Sequence, residues 1–151
     1  MTLVNSDIDS KSNNVFQFDV ESYLDPVRGD TFVFEGIESL PDFRIERVFW
    51  VQTVSEWVAR GNHANKRTDE ILVAVSGGLT VAVTDVDGTV ERFILNQPNQ
   101  GLYVEHGQFI EMTNFSNDCI LLVLANQKYD VSENVTGLRA YTEWIKPNHP
   151  L

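Results

Sequence analysis

The stretch from Glu70 to Leu95, EILVAVSGGLTVAVTDVDGTVERFIL, constrains the fold of this chain more than any other segment. Its apolar residues are mostly β-branched, come in short alternating runs and are interrupted by turn residues, which is the pattern of half-buried strands. Gly77-Gly78 marks one turn, and Asp87-Gly88 predicts a two-residue turn closing a hairpin between TVAVTDV and TVERFIL. Similar runs (VFQFDV, DTFVFEGI, FRIERVFWV, GLYVEHGQFIEMTNF, CILLVLAN) extend the pattern over residues 15–131. With no internal repeat and no heptads, the chain is expected to be all-β, as a closed or sandwiched antiparallel structure.

The two ends read differently. Residues 1–14 are rich in Asn, Ser and Asp and predict a mobile tail. Residues 132–151 predict a short C-terminal helix and a tail: Val135, Leu138, Tyr141, Trp144 and Ile145 recur at helical spacing, Ser132 offers an N-cap and Pro147 a stop. A length of 151 residues with 42% apolar content supplies one packed core. Cys119 is the only cysteine, which excludes a disulfide scaffold, and beside ILLVLA it reads as an inert packing residue.

Charge narrows the partners. Twenty-two acidic residues against eleven basic ones give a formal charge of -11, which disfavours nucleic acid and anionic membrane surfaces. No apolar run reaches the ~18 residues of a membrane span, and the polar N-terminus lacks the pattern of a secretion signal, so a cytoplasmic location is expected. Phosphate-loop, GxSxG and HExxH signatures are absent.

The chemistry concentrates around Arg60-Gly61-Asn62-His63-Ala64-Asn65-Lys66. His63, Asn65, Glu70 and Gly77 follow a spacing that resembles the first motif of cupin barrels, in which alternate side chains of a strand face the interior. Gly101, Gly107 and Asn114 resemble the second motif. Asn65 and Ile110 stand where metal-binding cupins carry histidines; Asn is a poor transition-metal ligand and Ile is none, so a barrel without metal is expected.

The flanking residues sharpen the resemblance. Asp25-Pro26-Val27-Arg28-Gly29, Arg44 to Trp50, Arg60 to Ala64, Gly101 to Val104, Phe115-Ser116, Leu121 to Ala125 and Tyr129-Asp130 resemble the sugar 3,4-ketoisomerases across about residues 23–130. That resemblance implies a jelly-roll-type cupin β-barrel, no metal and no cofactor. It also implies a homodimer with exchanged N-terminal strands and a nucleotide-linked keto sugar as ligand, in unusual deoxysugar biosynthesis for surface lipopolysaccharide. The activity implied is an isomerase moving the ketone of a dTDP-4-keto-6-deoxyglucose-like sugar from C4 to C3 through an enediol. The chain departs from the family at Asn65, where a second histidine is usual, at Phe49 and Trp50, where tyrosines are, and at Phe109-Ile110, often a Trp-His pair. The alternatives are a catalytically weak or inactive cupin that binds a nucleotide sugar, and a related sugar epimerase.

A ketone shift needs a group that titrates near neutral pH beside both carbons, and His63 is the family-matched candidate, with Asn65 beside it to hold an enediol oxygen. The competing reading of His63 is a partly buried histidine bonded to a strand neighbour. Glu70 is expected to contact substrate or orient the His63 ring. Seven of the eleven basic residues lie between positions 28 and 92. Those matching family motifs, Arg28, Arg47, Arg60 and Lys66, are the candidates for the diphosphate. Tyr103 is balanced between substrate contact and packing.

Overall fold

The computed structural model describes residues 14–148. Twelve antiparallel strands and one helix follow one another: β1 (Val15–Asp19), β2 (Glu21–Tyr23), β3 (Thr31–Val33), β4 (Arg47–Gln52), β5 (Arg60–Asn65), β6 (Glu70–Ser76), β7 (Leu79–Thr84), β8 (Val90–Leu95), β9 (Gln100–Val104), β10 (Phe109–Thr113), β11 (Ile120–Ala125), β12 (Asn134–Thr136) and α1 (Leu138–Asn148). One five-stranded sheet has the order β1-β9-β6-β11-β4 and the second β12-β5-β10-β7-β8, while β2 and β3 pair only with each other. The fold is thus the all-β, cupin-like jelly roll with one short C-terminal helix. Among the described residues no ladder joins the two large sheets, so they stack face to face and do not close into a hydrogen-bonded barrel.

Period-two alternation explains the layering. Leu72 and Ala74 of β6, Val81 and Val83 of β7, Leu102 of β9 and Leu121 and Val123 of β11 fill the space between the sheets. The opposite face of β6 and its neighbours is not solvent. Ile71, Val73, Tyr103 and Leu124 are covered by Phe16 and Phe18 of β1 and by Phe34 and Phe43 from the connection between β3 and β4. A third cluster, Ala64, Phe109, Val135 and Tyr141, forms under α1 on the outer face of the second sheet.

Several local expectations are corrected. The helix does not start at Ser132: the Asp130 carboxylate caps a 3-10 turn at Val131–Glu133 by accepting from the Ser132 N–H, and Val135 enters β12 against β5. Gly137, at φ +88°, then redirects the chain into α1. Pro147 lies inside the last turn and does not stop the helix before it. The Asp87-Gly88 hairpin is wider than two residues. Asp85 and Thr89 still pair, Gly88 donates to the Asp85 carbonyl at 2.9 Å, and Gly88 takes φ +87°, the arrangement of a three-residue loop with a glycine bulge. DTFVFEGI yields only the three-residue β3.

The tail expected over residues 1–14 lies outside the described residues except for Asn14, whose carbonyl accepts from Glu105 at 2.8 Å. No helix among the described residues is long and apolar enough to cross a membrane.

Tyr141 anchors α1. Its ring lies 5.3 Å from that of Phe109, and its buried hydroxyl donates to the Gly107 carbonyl at 2.8 Å. Tyr141→Phe removes only that donor and strands a buried carbonyl, so it should cost about 1–3 kcal/mol in a urea unfolding curve with the slope unchanged. A cost near zero would mean the helix is held by ring packing alone.

Candidate active site

Between the sheets, where β4 faces β5, a cavity of about 450 Å³ opens. Its inner end is apolar, built from Phe49, Val51, Leu72, Ile110, Leu121 and Val123. Its other end carries Arg47, Arg60, His63, Asn65 and Glu70, and the segment Tyr129–Asn134 contributes Tyr129, Asp130, Glu133 and Asn134 to the wall.

A β-bulge assembles the polar end. Ile110 pairs with His63 and Met112 with Arg60, so two steps on β10 are matched by three on β5. Asn62 is the extra residue. Ile110 and Met112 both line the cavity, so the bulge turns Arg60 to the same side as His63 and Asn65, which ordinary alternation would not do. The backbone cost falls on Gly61 at φ +83° and Asn62 at φ +54°. A Cβ at Gly61 would also lie 2.8 Å from the Ile110 carbonyl oxygen, so glycine is needed there for space as well as for φ.

His63 Nδ1 is 2.9 Å from the Gly61 carbonyl oxygen. A carbonyl only accepts, so Nδ1 carries the hydrogen and the neutral ring holds its basic lone pair on Nε2. Both readings of His63 thus meet in one residue: it is bonded to a strand neighbour and it lines the cavity. Glu70 is buried, and burial raises its pKa against the lowering effects of His63, an Asn65 hydrogen bond and Arg47. Arg47 stacks over Phe49 and Tyr129, its guanidinium carbon 5.2 Å and 5.7 Å from the ring centres. Its Nε is buried without a hydrogen-bond partner.

Glu133 ties the wall segment to the sheet. It accepts from Thr68 Oγ1 at 2.6 Å, Arg67 Nε at 2.9 Å and the Arg67 N–H at 3.0 Å. Burial opposes its ionisation, but the bonds from Thr68 and Arg67 outweigh it and hold the carboxyl below its ordinary range.

Of the residues marked by the sequence, Arg47, Arg60, His63, Asn65 and Glu70 therefore share one cavity. Three lie elsewhere. Arg28 is exposed in the turn after β2, 4.0 Å from the Asp25 carboxylate. Lys66 is exposed past the end of β5. Tyr103 sits on the opposite face of the first sheet, 5.1 Å from the Phe16 ring, where burial and the nearby Asp69 carboxylate raise the pKa of its hydroxyl. No group of three or more His, Cys, Asp or Glu side chains among the described residues has the geometry to hold a metal ion.

A family model described as "FdtA: WxcM-like, C-terminal" matches residues 13–146. The chain belongs to the FdtA family. A curated relative, the TDP-4-oxo-6-deoxy-alpha-D-glucose-3,4-oxoisomerase of Aneurinibacillus thermoaerophilus, is 30% identical over 118 residues, covering 78% of this chain and 84% of that one. Among solved structures, the fold is similar to a mutant of the 3,4-ketoisomerase QdtA of Thermoanaerobacterium thermosaccharolyticum in complex with TDP-4-keto-6-deoxyglucose. That match has TM-score 0.83 and 26% identity, over 93% of this chain and 100% of that one. It is also similar to the Campylobacter jejuni TDP-quinovose 3,4-ketoisomerase WlaRB, with TM-score 0.78 and 29% identity over 87% and 99% of the two chains.

Nothing in the sequence marks Thr68 or Glu133 as parts of an FdtA-family cavity, because a carboxylate in a polar stretch looks exposed until tertiary contacts bury it. Tyr129 and Asp130 carry the family resemblance, but only the fold brings them to the wall.

Glu133→Gln should lower stability by about 1–3 kcal/mol at pH 7, since the amide replaces a charge-assisted acceptor with a weaker one. The depressed carboxyl contributes stability above the unfolded-state pKa of about 4.3, and that contribution is lost as pH falls through the lower folded-state value. Denaturation midpoints of wild type and variant should therefore draw together as pH falls from the unfolded-state value through the lower folded-state one. A gap that persists under acid would assign the effect to packing.

Proposed function

We propose that this chain is a sugar-nucleotide 3,4-ketoisomerase, shifting the ketone of a TDP-4-keto-6-deoxyglucose-like substrate from C4 to C3. The observation that carries the reading is the position of His63: its Nδ1 hydrogen is engaged by Gly61, so Nε2 is the base presented in a cavity that also holds two arginines. Nε2 takes the proton from C3, which the C4 carbonyl acidifies, and an enediol forms across C3 and C4 as O4 gains a proton. The same nitrogen then delivers its proton to C4 as O3 gives up its hydroxyl proton, leaving the ketone at C3. Asn65 holds an oxygen of the enediol. Arg47 and Arg60 bind the diphosphate, for which the unpartnered Arg47 Nε is a ready donor. Family membership and the activities of its named relatives support this reading over a binding module or an epimerase.

Turnover without metal belongs to the same proposal, because Asn65 and Ile110 leave His63 and Glu70 short of a ligand set. So does a homodimer. β4 is the last strand of its sheet, with Val48 and Trp50 exposed beside its unpaired edge, and the β2–β3 pair stands apart from both large sheets.

Incubation with TDP-4-keto-6-deoxyglucose in deuterated water, followed by NMR, should show the 3-keto product with deuterium exchanged at the reacting carbons. His63→Asn should lower the rate by roughly 100- to 10,000-fold while TDP affinity stays near wild type. Arg60→Ala should weaken TDP binding by about 1–3 kcal/mol. Neither product nor exchange from the wild-type protein would leave a nucleotide-sugar binding module instead.

A further inference from the structure

The ketone shift moves two protons, and His63 accounts for one. The C3 hydrogen travels to C4, and the O3 hydroxyl hydrogen must also leave as O4 gains one. While the His63 ring carries the carbon proton it has no lone pair for the second, so the oxygens need their own carrier. The cavity restricts the choice. Asn65 does not ionise, and Arg47 and Arg60 stay protonated throughout. Asp130 is held ionised by Ser132, and Glu133 is engaged by Thr68 and Arg67. Glu70 remains.

We propose that the Glu70 carboxyl group carries the hydroxyl proton of the ketone shift, giving it to O4 as His63 takes the proton from C3, and receiving one from O3 as C4 is protonated. The proposal rests on the ketoisomerase reading and adds a second catalytic residue to it. In the first half, the C3–H electron pair becomes the C3=C4 bond and the carbonyl π pair binds the Glu70 proton. In the second half, the O3–H pair becomes the C3 carbonyl, the C3=C4 pair takes the proton from His63, and both side chains end as they began.

Three observations place Glu70 in this role. Its side chain lines the cavity with His63 and Asn65 yet is 6% exposed, so bulk water is excluded from its carboxyl. Burial raises its pKa above that of an ordinary glutamate and so favours the protonated form that the first half requires. His63, Asn65 and Arg47 all favour its ionised form, so the carboxylate left after proton donation has compensating groups in place. The carboxylate also forms while His63 becomes an imidazolium, so the cavity's net charge does not change during the reaction, and a low-dielectric site tolerates that best.

The test is the pH profile of kcat in wild type and two variants. The charged and titratable groups around Glu70 are Arg47 on β4, Arg60 and His63 on β5, and Tyr129, Asp130 and Glu133 on the wall segment; β10 and β11 contribute apolar side chains only. Wild-type kcat should fall as pH rises through the Glu70 pKa, because the protonated acid is the active form. Glu70→Gln keeps the side chain's size but carries no proton. It should lower kcat by roughly 100- to 10,000-fold, leave TDP affinity and melting temperature near wild type, and abolish that alkaline limb. Glu70→Asp keeps a carboxyl and should retain the limb at a reduced rate. An active wild-type enzyme with Glu70→Gln within about threefold of it would overturn the proposal and leave the ketoisomerase reading standing. If Glu70→Gln folds poorly, the aspartate variant decides, and a rate without the alkaline limb overturns the proposal. An inactive wild-type protein removes both.

Discussion

Two apolar layers have to close over strand β6 for both of its faces to leave water. Leu72 and Ala74 meet the second sheet, while Ile71 and Val73 meet the aromatic layer of Phe16, Phe18, Phe34 and Phe43. Each fully buried Ile, Leu or Val contributes on the order of 1.5–3 kcal/mol, so β6 with its partners β9 and β11 is the most heavily stabilised part of the molecule. The rest follows from it. The N-terminal strand must lie along β9 because that outer face needs cover, and the Phe18 ring fits where Gly101 leaves room, since a Cβ there would come within 2.2 Å of it. The cavity opens where this packing thins, between the edge strand β4 and the bulged strand β5.

A cavity built inside a jelly roll inherits the dielectric of the core. Charges there are held by specific partners: Arg47 by the faces of Phe49 and Tyr129, Glu133 by Thr68 and Arg67. That placement raises the strength of each electrostatic contact with a bound anion and makes proton positions matter. The apolar inner end, closed by Leu72, Ile110, Leu121 and Val123, is continuous with the main core, so the rigidity of the site is the rigidity of the sheets.

Strand character, the turns at Gly77-Gly78 and near Gly88, and the importance of the Arg60–Asn65 run were all legible in the sequence, because each depends on local pattern or backbone preference. What local pattern misplaced or left open has a common cause. Val135 sits at helical spacing but pairs with Ala64 of β5, because a strand edge and the base of α1 both needed covering there. Tyr103 alternates correctly along β9, yet both faces of that sheet are buried and alternation alone does not say which faces the cavity. Arg60 is out of phase with His63 by simple alternation, and only the bulge opposite Ile110 and Glu111 brings the two together.

The sequence by itself therefore determined the all-β class, the family and the residue run around which the proposed chemistry is built, since periodicity, glycine-dependent turns and motif spacing are properties of neighbours along the chain. Tertiary structure alone decided which basic residues reach the cavity, that Glu70 and Glu133 are buried, and where the helix begins. Those outcomes depend on which surfaces meet across more than sixty residues of chain, as when Glu133 accepts from the Arg67 N–H and the Thr68 hydroxyl, 66 and 65 positions away. Burial of a charge is a property of its neighbours in space, and no local pattern encodes it.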